Sequence, residues 1–505
     1  MNETTSLAGR REWAALGVLV LVVMLLAVDG TVLYLAVPSL TRDLEPTSNQ
    51  LLWIGDIYAF VLAGLLITMG NVADRIGRKR LLLMGSTAFG LASVLAAFSP
   101  NAETLIAARA LLGVAGATLM PSTLSIVRAM FADPRQRTRA IALWSVGATA
   151  GGALGPLVGG VLLEHFWWGS VFLINVPIMV LALVAGWLLL PESRGDARQP
   201  IDLVSSVLSI LAIVPAVFAV KHTISTGFDA LAAGVLIVGL LAGWWFLRRQ
   251  TRLAVPLLDV SLFRVPAFSG AVGANMLSIF AFLGLLFFFS QYLQLVRGFG
   301  PLKAGLAELP ATFASIAVIA IIGILVTRLG PGRAIGSGLA VAALGLVGIA
   351  LTSSWDSYVG MAAALAVIGL GIGVAMTLST DAVVSSVPKA RAGAASAIAE
   401  TAYELGGALG IALLGSLQMA MYRARLDLAP DVDPELADRV GDSLAVTVME
   451  VEDLAIVTAA QEAFTSAMQT TSWVAAAILV VAAVVAWRVI PSSTSVREAV
   501  VHDRA

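Results

Sequence analysis

The chain has 505 residues, 59% of them hydrophobic and only 12% charged, with a formal net charge of −1 and a mean hydropathy of +0.92. Soluble domains carry about 25% charged residues, so the composition excludes an ordinary soluble protein and indicates an all-α polytopic membrane protein. With no cysteine, disulfides, thiolate metal sites and thiol nucleophiles are ruled out. His165, His222 and His502 have no ligand spacing, so neither a metal nor another cofactor is expected.

Arg10 and Arg11 precede an apolar run with no small-residue cleavage site, which reads as a first transmembrane helix and not as a removed signal peptide. Counting apolar runs of about 20 residues predicts fourteen spans: 13 to 37, 51 to 70, 81 to 98, 104 to 127, 139 to 163, 169 to 190, 203 to 220, 229 to 247, 268 to 292, 303 to 327, 334 to 352, 357 to 378, 392 to 418 and 471 to 489. The first carries Asp29 and Tyr34, and the second carries Trp53, Asp56 and Tyr58. The loop "GNVADRIGRKR" follows at 70 to 80. Span four holds Arg109. Span five holds Trp144 and a row of glycines at a spacing of four, Gly147, Gly151, Gly155 and Gly159, with Gly152 and Gly160 flanking Pro156 on the neighbouring row. Such a row lets another backbone approach closely, and Pro156 removes a helical hydrogen bond and bends the helix. Ordinary tight packing also accounts for it. Phe287, Phe288 and Phe289 in span nine read as packing, and Glu308 lies near one end of span ten. Span thirteen contains "AETAYELGGALG", 399 to 410, which places Glu400, Tyr403 and Glu404 in an apolar run. The acidic segment 420 to 468 reads as an ordered hairpin of short amphipathic helices. Its field would draw cations to the mouth; solubility alone explains the charge as well.

With the N-terminus cytoplasmic, most of the 31 Lys and Arg residues fall on the cytoplasmic side, against only Arg42, Lys221, Arg297, Lys303, Arg423, Arg425 and Arg439 opposite. The positive-inside rule then places both termini in the cytoplasm and requires an even number of spans. Two echoes divide the chain. "GNVADRIGRKR" from Gly70 matches "GILVTRLGPGR" from Gly323, an offset of 253, and "GGALGPLVGGVL" from Gly151 matches "GGALGIALLGSL" from Gly406, an offset of 255. Duplicated halves follow, related by an axis along the membrane normal. The expected organisation is a cytoplasmic N-terminus over 1–12, a six-helix bundle over 13–190 and two linker helices over 191–265. A second six-helix bundle over 266–490, including the outer hairpin 420–468, and a cytoplasmic tail over 491–505 complete the chain.

These residues resemble the major facilitator superfamily. "GNVADRIGRKR" has the form of its loop between helices two and three, "RALLGVAGA" at 109 to 117 looks like its helix-four arginine motif, and "GATAGGALGPLVGG" at 147 to 160 resembles the helix-five signature of its antiporters. "AVDGTVLYLAVPSL" at 27 to 40 is similar to the first helix of its fourteen-span drug:proton antiporters, nearest to the LfrA-like and Qac-type pumps. The resemblance covers essentially the whole chain. It implies a 6 + 2 + 6 helix arrangement and export of quaternary ammonium compounds, cationic dyes and fluoroquinolones in exchange for protons. It also implies that Gly70, Asp74, Arg75, Gly77 and Arg78 form a gating motif, with Asp74 capping a helix of the other half near Arg391 and Gly393. Alternatively, the basic residues simply anchor helix three at the surface. For Gly155 and Pro156 it implies a part in sealing a proton leak. In one departure, relatives that export dications often carry an extra acid deep in helix ten, where this chain has only Glu308 nearer the end.

Asp29, Asp56, Arg109, Glu400 and Glu404 all fall within spans, and a charge at the bilayer centre costs about 2.5–3.5 kcal/mol. At about 1.5 Å per residue, Asp29, Asp56 and Arg109 share one level of the membrane. Arg109 can neutralise one aspartate, and the helix-four resemblance makes Asp29 the partner. Three acids then remain. Glu400 and Glu404 share one helical face about 6 Å apart and would take up protons as a pair. A cavity with surplus acid can exchange protons for cations, and Tyr34, Trp53, Tyr58, Trp144 and Tyr403 could hold a quaternary ammonium face-on. The partners expected are therefore cationic drugs, protons and the bilayer, with no nucleic acid, for a protein acting as a monomer. An ATP-driven pump is disfavoured because no G-x-x-x-x-G-K-[ST] occurs, and a sensor is disfavoured because the tail is too short for a signalling domain. The remaining rival is a proton-coupled exporter of a lipid or hydrophobic metabolite.

Overall fold

A computed structural model describes residues 8–131, 133–192, 202–253, 256, 258–387, 392–429 and 432–492. Every regular element among them is helical, as lipid demands of a backbone that must satisfy its own polar groups. The chain opens with α1 (Arg10–Leu44), α2 (Ser48–Ile76), α3 (Arg78–Ala97), α4 (Ala102–Met130) and α5 (Pro134–His165). The expected sixth span is broken into α6 (Ser170–Leu173) and α7 (Asn175–Leu189). Then follow α8 (Leu203–Thr226), α9 (Ala230–Gln250), α10 (Pro266–Gln291), α11 (Pro301–Ala317), α12 (Ile322–Leu329), α13 (Pro331–Thr352), α14 (Val359–Ser385) and α15 (Ala392–Arg425). Two short helices, α16 (Pro434–Asp442) and α17 (Leu444–Glu450), precede α18 (Leu454–Val489).

Among the described residues twelve helices are long and apolar enough to cross a membrane, or thirteen if α11 and α12, bent by 56°, count as one. The glycine-rich α5, 32 residues long, is a further helix outside that count. The last span needs correction: α18 begins at Leu454, well before the expected 471, because Gln461 and Gln469 satisfy their amides on the Leu295 carbonyl and the Ser353 hydroxyl at 2.8 and 3.2 Å.

Two compact units form. One comprises Met1–Leu257, Phe287–Leu306 and Tyr422–Phe464, the other Leu258–Leu286, Ala307–Met421 and Thr465–Ala505. This division by packing takes the linker helices and the hairpin into the first unit, unlike the division drawn from the repeats.

Within each unit the glycine rows have the same use. A Cβ at Gly151 or Gly155 would come within 3.0 Å of α1 atoms, with the Met24 carbonyl oxygen and the Thr31 hydroxyl as the nearest neighbours. In the second unit a Cβ at Gly406 or Gly410 would run into the carbonyl oxygens of Met276 and Phe280 on α10. The α2–α4 contact also recurs, since Gly113 faces the Tyr58 carbonyl and Gly369 faces the Ala311 carbonyl.

The turns of the two loop motifs correspond as well. Gly77 (φ +112°) ends α2 and starts α3, and Gly330 (φ +76°) does the same between α12 and α13. Lys79 Nζ donates to the carbonyls of Trp187 and Leu190 at 2.8 and 2.9 Å, so the first turn is clamped to the end of α7. Glu192 accepts from the Lys79 backbone N–H at 3.3 Å and pairs with Arg80 at 3.7 Å. In the second unit Gly332 abuts the Ile490 carbonyl and the Arg333 N–H donates to Ser492 Oγ at 3.1 Å, clamping that turn to the end of α18. Because Gly77 occupies a left-handed region that penalises a side chain by roughly 1–2 kcal/mol, Gly77→Ala is expected to lower stability by that amount. Its Cβ would also press on Glu192 Oε1 at 2.5 Å. Thermal unfolding of the purified protein checks this; an unchanged midpoint would show that the turn relaxes without strain.

The linker hairpin is closed by Asp202, which caps α8 through the Ser205 N–H at 3.0 Å and binds Arg249 of α9 at 2.9 Å. Burial works against ionisation of Asp202, but hydrogen bonds from Arg249 and Ser205 outweigh it and hold the carboxyl below its ordinary value of 3.8. A group depressed in this way stabilises fully above its ordinary value, and that contribution is lost as the pH falls through the folded-state value. Wild type and Asp202→Asn should therefore differ in unfolding midpoint at neutral pH and converge in acid, as the pH falls through the lowered folded-state value. A gap that persists in acid would mean that the ion pair is not its source.

Candidate functional site

Asp29 lies midway along α1 and is 1% exposed, as is Arg109 of α4. Arg109 Nη1 stands 3.1 Å from Asp29 Oδ2, so the pairing anticipated from the sequence is present. The guanidinium goes further: Nε donates to the Ile54 carbonyl at 3.1 Å, Nη2 to that of Gly55 at 3.5 Å, and its carbon lies 4.8 Å from the Tyr58 ring centre. Asp56, next in α2, is fully buried. The other oxygen of Asp29 accepts from Asn175 Nδ2 at 2.8 Å, and the same amide donates to Ser93 Oγ at 3.1 Å. Asn175 is the first residue of α7, placed by the break after α6. Three helices thus meet at one carboxylate whose two oxygens accept these bonds, with α2 reached through Arg109 and α3 through Asn175.

The aromatic candidates are distributed differently. Tyr58 belongs to this cluster. The Trp144 indole donates to Thr123 Oγ1 at 3.2 Å, Trp53 packs against Phe60 and Phe218 at 6.4 and 6.5 Å, and Tyr34 is edge-on to Phe287 at 6.0 Å. In α5, Gly147, Gly151, Gly155 and Gly159 face α1, while Pro156 and Gly160 face residues 301 to 305: a Cβ at Gly160 would meet the Leu302 backbone, and one at Gly305 the Pro156 carbonyl. In the gating motif Gly70 faces Pro121, Arg75 is exposed, and Arg78 donates to the Ser125 carbonyl at 3.4 Å. The side chain of Asp74 and all of Arg391 lie outside the described residues, and of Gly393 only the helical backbone is described.

In the second unit Glu400, Tyr403 and Glu404 are half-buried on α15. Asn275 of α10 donates to the Ala399 carbonyl at 3.2 Å and fixes the helix one residue before the first acid. Among the described residues no Lys, Arg or His is within ion-pair distance of either glutamate. Glu308 is 3% exposed, and Lys303, in the first unit, stands over the Phe299 ring at 3.9 Å. Sequence reasoning missed Asn175, Asn275 and Glu192. The first two could have been noticed as lone amides in apolar runs, "INVPIM" and "GANMLS".

A family model described as Major Facilitator Superfamily matches residues 19–411. The chain is 45% identical over 489 residues to the multidrug efflux pump LfrA of Mycolicibacterium smegmatis, covering 95% of this chain and 97% of that protein. It is 37% identical over 470 residues to the methyl viologen resistance protein SmvA of Salmonella typhimurium, covering 90% and 93%. Among solved structures, a bacterial homologue of the human lysosomal transporter Spinster, inward-facing and unoccupied, matches with a TM-score of 0.65 over 95% of this chain and 98% of that one. At 17% identity that likeness concerns the fold alone.

Proposed function

The chain belongs to the major facilitator superfamily, a family of membrane transporters and not of enzymes, and from that premise we propose that it is a proton-coupled multidrug efflux antiporter. It exports lipophilic organic cations, quaternary ammonium compounds and cationic dyes among them, across a bacterial cytoplasmic membrane by alternating access. It acts as a monomer with fourteen spans, α5 included, and cytoplasmic termini, and the proton gradient drives it without a cofactor.

One observation carries this reading: Asp29 is neutralised by Arg109, whereas Glu400 and Glu404, one turn apart, have no cation beside them among the described residues. Acid in excess of base within a membrane favours binding of protons or cations, and a site that prefers whichever is present can exchange them. Protonation of a glutamate weakens its hold on an organic cation, the cation leaves outward, and deprotonation to the cytoplasm resets the site. Each inward proton is worth about 2.3 kcal/mol per 100 mV of membrane potential. The names of the relatives, a multidrug efflux pump and a resistance protein for the dication methyl viologen, support the substrate class.

The test is proton release when ethidium or tetraphenylphosphonium is added to purified protein in weakly buffered detergent. Wild type should release protons, and Glu400→Gln with Glu404→Gln should abolish the release. Unchanged drug binding without proton release would sink the exchange and favour export of a hydrophobic metabolite.

A further inference from the structure

The linker hairpin takes no part in the carboxylate sites, yet it carries a built feature of its own. At the end of α9, Trp244, Trp245, Arg248, Arg249, Arg252 and Leu253 line a cleft of about 320 Å³. Arg249 is engaged by Asp202. The Arg248 guanidinium lies 5.0 Å from the Trp244 ring centre, and among the described residues neither Arg248 nor Arg252 makes an ion pair. Trp244 and Trp245 are 58% and 59% exposed, and the same helix continues away from the arginines with Leu240 and Leu241, 62% and 60% exposed. At and just past the end of α9 stand two cations with no ion pair among the described residues, and an indole pair and then an aliphatic surface lie on the helix before them.

That order matches the parts of one kind of molecule. A phosphodiester takes guanidinium hydrogen bonds in bidentate fashion, indoles favour the headgroup level of a bilayer, and acyl chains cover leucines. The carbonyls ending a helix would repel an anion, but here three of them already accept hydrogen bonds. Thr251 N–H donates to Leu247 at 3.2 Å, the Thr251 hydroxyl to Arg248 at 2.9 Å, and Arg252 and Leu253 N–H to Arg249 at 3.0 and 3.2 Å. We propose that this cleft binds an anionic diacyl phospholipid, its phosphate held by Arg248 and Arg252 and its acyl chains lying along the exposed face of α9. The aliphatic continuation selects a lipid over a soluble phosphate.

Native mass spectrometry of the full-length protein tests it with phosphatidylglycerol, phosphatidylcholine of the same chains, and glycerol 3-phosphate. Wild type should retain phosphatidylglycerol over phosphatidylcholine. At about fivefold per basic residue near the surface, Arg248→Gln with Arg252→Gln should cut phosphatidylglycerol retention by about twenty-five-fold and phosphatidylcholine retention by much less. Arg248→Lys with Arg252→Lys should keep most of the preference, since the charge remains. Equal retention of both lipids by wild type overturns the proposal, as does unchanged phosphatidylglycerol retention by the Gln variant. Displacement of the lipid by an equal concentration of glycerol 3-phosphate also overturns it, by showing a soluble-anion site.

Discussion

Arg109→Gln should destabilise the protein by about 3–5 kcal/mol, the usual consequence of removing one partner from a buried ion pair. The loss comes mainly from what stays behind. Asp29 would lose its counter-charge and be left with only Asn175 to bind it, and the carbonyls of Ile54 and Gly55 would lose the guanidinium that reaches them. Adding Asp29→Asn should recover a large part of the loss, because an amide at position 29 can still accept from Asn175 without an uncompensated charge. Unfolding of the four members of the cycle in detergent measures the coupling. If the double variant is as unstable as Arg109→Gln, the ion pair is not what holds these helices together.

The second large effect concerns shape. Gly151→Ala places a methyl group against the Met24 carbonyl oxygen, and Gly410→Ala does the same against that of Phe280. A backbone atom cannot turn aside as a side chain can, so each helix pair must spread. Overpacking of this kind costs about 1–3 kcal/mol and occasionally more. Gly152→Ala on the neighbouring row meets nothing within 4 Å and serves as the neutral comparison. Unfolding midpoints that leave Gly151→Ala and Gly152→Ala alike would show that α5 does not need its close approach to α1.

Features governed by a strong physical penalty were legible in the sequence. The cost of a membrane charge singled out Asp29, Asp56 and Arg109, the helix-four resemblance made Asp29 the partner of Arg109, and the spacing-of-four glycines pointed to a close helix contact, found against α1. Less was visible where neutral polarity settles the structure. Asn175 carries no charge to betray it, although it completes the Asp29 shell. Glu192 sits just past an apolar run, where an acid looks like an ordinary flank, yet it clamps the turn at Lys79. The early start of α18 was hidden because Gln461 and Gln469 lower local hydropathy, and only their distant partners make the helix continuous. Trp53 packs against Phe60 and Phe218, and the Trp144 N–H is bound by Thr123, contacts that the sequence does not foretell.

The matched glycine contacts also supply a ruler between the halves. Met24 corresponds to Met276, Gly113 to Gly369 and the end of α7 at Leu190 to that of α18 at Ile490. On that ruler Asp29, Arg109 and Asn175 fall on Ala281, Leu365 and Ala475, all buried and apolar. In the opposite direction Glu400 and Glu404 fall on Ser145 and Thr149. The glycine contacts recur in both halves, whereas among the described residues each ionisable cluster occurs in one half only. A protein assembled from two first halves would retain the interlocking glycines but have no glutamate pair, and one from two second halves would have no arginine to neutralise its acids.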